Sequence, residues 1–237
     1  MEQDQKIIRV GGIFGIIGIF LFLCIGVGLE QLFWQRLGID TIERFLQING
    51  TSPYYQINMG GHFILGIAFL CMIVSFIGLY ELLSMEKQRL AAKVGALFGV
   101  LACPIMVIQM SVQSTVMVKM GRRFLAATDE AQRQDVVSLY RGLRLFDQGI
   151  DLAFDTFFFL GWILLAFAML SHRNFGKVFG LIGIILFGAA AVLNAWSAPT
   201  PPSFEMSPIV CLWVLAVFVQ MLRAAKTSPS ISQSMSA

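Results

Sequence analysis

The chain has 237 residues, 57% of them hydrophobic and only 13% charged, against about 25% charged in ordinary soluble domains. The net charge of +3 is small, and the basic residues sit at the ends of apolar runs, so no nucleic-acid partner is implied. Composition excludes a water-soluble globular class. Several apolar runs reach the ~17–20 residues that a helix needs to cross a bilayer, which makes this a polytopic helical membrane protein.

The first run, 10–28, is too long for the apolar core of a signal peptide, and Glu2 and Asp4 spoil the basic region such a signal needs. It reads as an uncleaved first span, closed by Glu30. The connection 29–61 holds Asn49-Gly50 and Pro53, which signal a turn, and Tyr54 and Tyr55, which suit an interface. Asn49-Gly50-Thr51 also fits a glycosylation sequon. The second span, 62–80, begins with His62, and the third, 94–113, contains Pro104, an expected kink, and ends with Gln109 and Gln113. From Lys119 to Phe146 the chain turns polar. Thr128 suits an N-cap, and Val136, Leu139, Tyr140 and Leu143 recur at helical spacing. This pattern predicts an amphipathic helix on the bilayer surface or capping the bundle, with a solvated helical hairpin as the alternative. The fourth span covers 150–170, and the fifth, 178–196, ends with Asn194 and Trp196. After the proline-rich break at 198–202 comes the sixth span, 208–221, and then a serine-rich tail from 227 expected to be disordered. The fold class is all-α: one transmembrane domain over 1–226, with six helices in a bundle and an amphipathic helix between spans three and four.

Gly11 and Gly15, Gly95 and Gly99, and Gly176 and Gly180 put small residues one turn apart on spans one, three and five, where helices pack closely. Cys24, Cys71, Cys103 and Cys211 lie in four different runs without a CxxC pair, as small core residues do. Basic residues are nearly balanced between the two sides. The short turns after spans two and four are consistently basic, which favours both termini in the cytoplasm of a cell membrane.

The most informative stretch is Arg141 to Asp155. Arg144, Asp147, Asp151 and Asp155 fall on one narrow helical stripe, with Asp155 about 12 Å deeper than Asp147. A carboxylate at the lipid-facing centre of a helix costs about 2.5–3.5 kcal/mol, so the stripe should face protein or water. In the plain structural reading Asp147 is a helix-start carboxylate paired with Arg144, while His62, Gln109 and Gln113 satisfy helix ends and interhelical contacts. In the functional reading Asp155, the deepest, belongs to a ligand or proton site. No cation lies within two turns of it on its own helix, so it must be protonated or satisfied by Gln109, Gln113, His62 or Asn194 at similar depth. Asp151 and Asp147 continue the site outward, and Arg141 and Arg144 suit an anionic group. These polar residues share one end of the bundle and predict a polar cavity open to the outer face.

No catalytic residue is assigned and no cofactor is named. His62 and His172 would lie about 30 Å apart, too far for a shared haem. His62 with Asp151 and Asp155 could supply three zinc ligands, but no HExxH pattern supports them. Neither a GxSxG nucleophile elbow nor a flanked aspartic dyad is present. The sequence leans away from an enzyme.

Gly78-Leu-Tyr-Glu-Leu-Leu with the following basic turn and Ala91–Gly99, then Phe157-Phe-Phe-Leu-Gly-Trp-Ile-Leu-Leu and Phe179-Gly-Leu-Ile-Gly, resemble a bacterial family of six-helix membrane proteins, domain of unknown function 4386. The resemblance covers spans two to five. It implies six spans and a bacterial inner membrane, and it implies no activity. The residues favour binding or transport of a small solute or ion, with a proton linked to it. A membrane partner or sensor subunit contacting another protein is the alternative, and a metal-dependent intramembrane hydrolase the third. Membrane lipids are partners in every case.

Overall fold

The computed structural model describes residues 2–25, 37, 39, 41–84, 88–197 and 206–227. Glu30, the turn at 85–87, the proline-rich loop at 198–205 and the tail beyond 227 lie outside the described residues, as does the side chain of Trp196. The helices are α1 (Glu2–Leu21), α2 (Ile42–Gly50), α3 (Tyr54–Leu83), α4 (Arg89–Val112), a π-helical turn (Gln113–Met117), α5 (Val118–Ala126), α6 (Glu130–Met169), α7 (Gly176–Ser197) and α8 (Ser207–Thr227). Among the described residues six helices are long and apolar enough to cross a membrane. Large apolar side chains such as Phe20, Phe63, Ile185 and Leu212 are exposed on their outer faces, as contact with lipid tails allows.

Each spanning helix packs on its chain neighbour. α1 lies on α3, α3 on α4, α4 on α6 and α6 on α7, while α8 returns to α1. Glycine sets these crossings because only a hydrogen at Cα lets two backbones meet. A Cβ on Gly11 would come within 2.8 Å of the Gly78 Cα, and one on Gly95 within 2.8 Å of the Gly161 carbonyl. Gly15 faces the Phe218 ring of α8, so the first glycine pair straddles two neighbours. Gly176, expected to pack with Gly180, instead opens α7 at φ +79°, the left-handed region that suits glycine, while Gly180 meets the Ala166 carbonyl. The core is aromatic: Trp162 stacks on Phe187 at 5.4 Å and is flanked by Phe76, Trp213 and Phe218. Cys103 and Cys211 are thiols buried in it, and Cys71 is buried as well.

Helix ends differ from the sequence boundaries. α3 starts at Tyr54 rather than His62. The stretch expected to hold a separate amphipathic helix is divided: α5, strongly amphipathic, continues the third span beyond the π turn, and residues 130–149 are the extended start of the 40-residue α6. Asp129, one residue after Thr128, is the N-cap. Its Oδ1 accepts from the Gln132 backbone N–H at 2.9 Å, and the Thr128 N–H donates to the Gln132 side chain at 3.2 Å. At 1.5 Å per residue α6 is about 60 Å long, twice the hydrocarbon thickness. Its N-terminal half packs with α2 and α5 around a second small core of Leu46, Met117, Met120, Val136, Val137 and Tyr140. Gly50 and Gly121 cross closely, and Arg122 lies 4.5 Å over the Tyr55 ring. This cap sits on the end of the bundle away from the described chain ends.

Candidate functional site

The polar residues collect where cap and bundle meet. On α3, Asn58 and His62 are one turn apart and buried. Asn58 donates from Nδ2 to the Asn49 Oδ1 at 2.7 Å, which ties the bundle to α2. The His62 Nδ1 lies 2.8 Å from the Asn58 carbonyl oxygen, so that nitrogen carries a proton and donates. The His62 Nε2 lies 2.8 Å from Oε1 of Gln113, the first residue of the π turn. Gln113 in turn donates from Nε2 to the Asp147 Oδ2 at 2.8 Å. The other Asp147 oxygen, Oδ1, is buried without a hydrogen-bond partner among the described residues. The extra residue per turn in a π segment re-aims side chains, and such turns recur at functional sites. Here the turn carries the side chain that joins α3 to α6.

These groups border a chamber of about 420 Å³ whose described lining includes Thr41, Phe45, Asn58, Tyr140 and Arg144. With ~30 Å of hydrocarbon measured from the Leu83 and Met169 ends, His62 and Asp147 fall at the edge of the apolar layer. Asp155 falls about 9 Å inside it. There Asn194 of α7 donates from Nδ2 to the Asp155 Oδ2 at 2.9 Å. The pair lines a second, mostly apolar cavity of about 190 Å³ at the centre of the bundle.

The carboxylate stripe therefore serves two places rather than one cavity. A four-residue step on an α-helix turns 400°, so each successive aspartate is offset by about 40°. Asp147 and Asp155 differ by about 80°, which turns the first to the π turn and the second to α7. Asp151 between them is exposed, with Gln109 of α4 as its neighbour. The Gln109 Oε1 is buried without a hydrogen-bond partner among the described residues. Of the four groups offered as partners for Asp155, Asn194 is the one bonded to it, while His62 and Gln113 are joined to Asp147. Arg144 lines the chamber as an exposed side chain, and the hydrogen bond that Asp147 receives comes from Gln113, not from that arginine. Arg141 is exposed and does not line the chamber. His172, at the other end of the bundle, is buried with Nε2 3.2 Å from the Leu82 carbonyl oxygen. Among the described residues no three His, Cys, Asp or Glu side chains converge as metal ligands would.

Sequence reading missed Asn58 and Tyr140 as parts of the site. Asn58 was legible in principle, since it precedes His62 by four residues and so shares its helix face. The turn signals before it placed the start of the helix too late. Tyr140 belongs by spacing to the apolar stripe of Val136, Leu139 and Leu143. It packs on Phe45 at 5.3 Å between ring centroids while also bordering the chamber.

A hydrogen-bonded His–Gln–Asp chain has a definite proton count. An amide donates only from nitrogen and accepts only at oxygen. With Oε1 toward histidine and Nε2 toward aspartate, the chain joins an imidazolium to a carboxylate. With the amide turned over, it joins a neutral imidazole to a protonated acid. Both states hold one proton and no net charge. Removing that proton leaves one end facing a like lone pair, whichever way the amide points.

Residues 56–224 match the model of a family described as a domain of unknown function (DUF4386). Neither a curated protein nor a solved structure matches the chain.

Proposed function

We propose that this chain, which belongs to that family, binds a small solute from the capped end of the membrane and couples its occupancy to the proton shared by His62 and Asp147. The observation carrying this reading is the Gln113 bridge, with 2.8 Å contacts to His62 and to Asp147 at the wall of a polar chamber. A solute that takes a hydrogen bond from one end of the bridge, or gives one to the Asp147 Oδ1, which has no partner among the described residues, shifts the shared proton. Asp151 and Asp155 continue carboxylates inward, so translocation with a proton belongs to the same reading. The capped end is the outer face if the basic turns at the opposite end are cytoplasmic.

Proteoliposomes on a solid-supported membrane test this with a panel of amino acids, sugars, amines and inorganic cations. The reading expects at least one solute to evoke a current that depends on the pH gradient and is absent in Gln113→Leu. A current that survives unchanged in that variant, or none from the whole panel, overturns it.

A second reading, a membrane partner subunit, is favoured by one face of α6. Leu145, Phe146 and Leu152 are exposed there, and Gly142 and Gly149 have open space around them. Cysteine cross-linking at Leu145 in membranes separates the readings, since a partner seated on that face would give a defined adduct.

A further inference from the structure

We infer that the central cavity is a binding site for a small organic ammonium ion bearing one ring-sized apolar group, with Asp155 as its counter-charge. The inference rests on the small-solute reading above and names the class of solute. All six spanning helices, or residues just beyond their ends, contribute to the wall. Among the described lining residues the hydrogen-bonding side chains are Asp155 and Asn194, with the Cys211 thiol beside them, in a lining that includes Phe22, Phe69, Phe154 and Phe158. No lysine, arginine or histidine occurs among the described lining residues.

The alternatives fail on chemistry. An anion would meet a carboxylate with no basic lining residue among those described. A hard metal ion wants six or so oxygen ligands, and two side chains do not supply them. A neutral hydrocarbon would fill the apolar lining but give the Asp155 carboxyl no partner beyond Asn194. An ammonium ion answers each point. Its charge pairs with the carboxylate, and the aromatic rings attract a desolvated cation through their faces. The hydrogen bond from Asn194 goes to Oδ2, so Oδ1 keeps its lone pairs for an N–H of the occupant. Size agrees as well: an apolar cavity of about 150 Å³ holds a benzene ring, and 190 Å³ holds such a ring with a short ammonium arm.

The test uses the full chain in phosphatidylcholine nanodiscs, with benzylammonium and its neutral analogue benzyl alcohol as calorimetric probes. Wild type is expected to bind benzylammonium saturably and at least tenfold more tightly than benzyl alcohol. Asp155→Asn should reduce that preference to less than threefold, and Ala190→Leu, which fills the cavity without touching the charge, should abolish binding of both. Equal affinity of the two probes in wild type, no binding of either, or a preference that survives Asp155→Asn or Ala190→Leu overturns the inference. If Asp155→Asn does not accumulate, the wild-type preference and its loss in Ala190→Leu decide alone. Failure here with the His62 proton still responding to Gln113 substitution sinks the amine site and leaves the earlier reading standing. Loss of that response sinks the earlier reading first.

Discussion

Gln113→Leu is the most telling single change. It removes two 2.8 Å contacts at once, to His62 and to Asp147. Asp147 is then left without a hydrogen bond from any described residue, since its Oδ1 has none already. A hydrogen bond to a charged group contributes about 1.5–3 kcal/mol. The neighbouring chamber, about 420 Å³, is roomy and polar enough for water to replace part of that. A net loss of about 2 kcal/mol follows, or roughly 4–8 °C in midpoint for a chain of this size. Unfolding in mixed micelles, followed by the emission of the four tryptophans, measures it. A double-mutant cycle with Asp147→Ala isolates the bridge, and the expected coupling is about 1–2 kcal/mol. If the two changes add within ~0.3 kcal/mol, Gln113 and Asp147 do not act as one unit, and the bridge has no energetic standing.

Four further outcomes are expected. Gly95→Val forces a side chain against the Gly161 carbonyl at 2.8 Å and should prevent normal packing of α4 on α6, read as loss of the monodisperse peak in detergent. Gly142→Ala, with nothing within 4 Å, should stabilise α6 by about 0.5–1 kcal/mol through helix propensity. Trp162→Ala should cost about 3–5 kcal/mol, whereas Trp162→Phe should cost clearly less, since it keeps an aromatic ring and the indole N–H has no hydrogen-bond partner among the described residues to lose. In intact cells an impermeant thiol reagent should label Ser138→Cys and not Ser84→Cys in a cysteine-free background, and the reverse pattern would invert the orientation.

The spans were legible because hydropathy reports the hydrocarbon-thick part of a helix. For the same reason it misplaced the ends: α3 begins eight residues before His62, and α6 begins 20 residues before Ile150. Once a helix leaves lipid, its stability comes from packing, here against α2 and α5, and no apolar run announces it. The aspartate spacing identified Asp147, Asp151 and Asp155 as one helical surface. It did not show that the 40° drift per step would send them to different neighbours. Pairings across helices, such as His62 with Gln113 or Asp155 with Asn194, depend on which helices adjoin. Gly11, Gly78, Gly95 and Gly161 set that adjacency by permitting contact, and a glycine alone does not name its partner.

Nitrogen-15 NMR of the two histidines tests the proton-sharing bridge most directly, with His62 assigned through a His62→Gln variant. The bridge requires that the His62 Nδ1 carry a proton and that the Nε2 signal move when Gln113 becomes Leu or Asp147 becomes Asn. A His62 Nε2 signal identical in wild type and in both variants would contradict it.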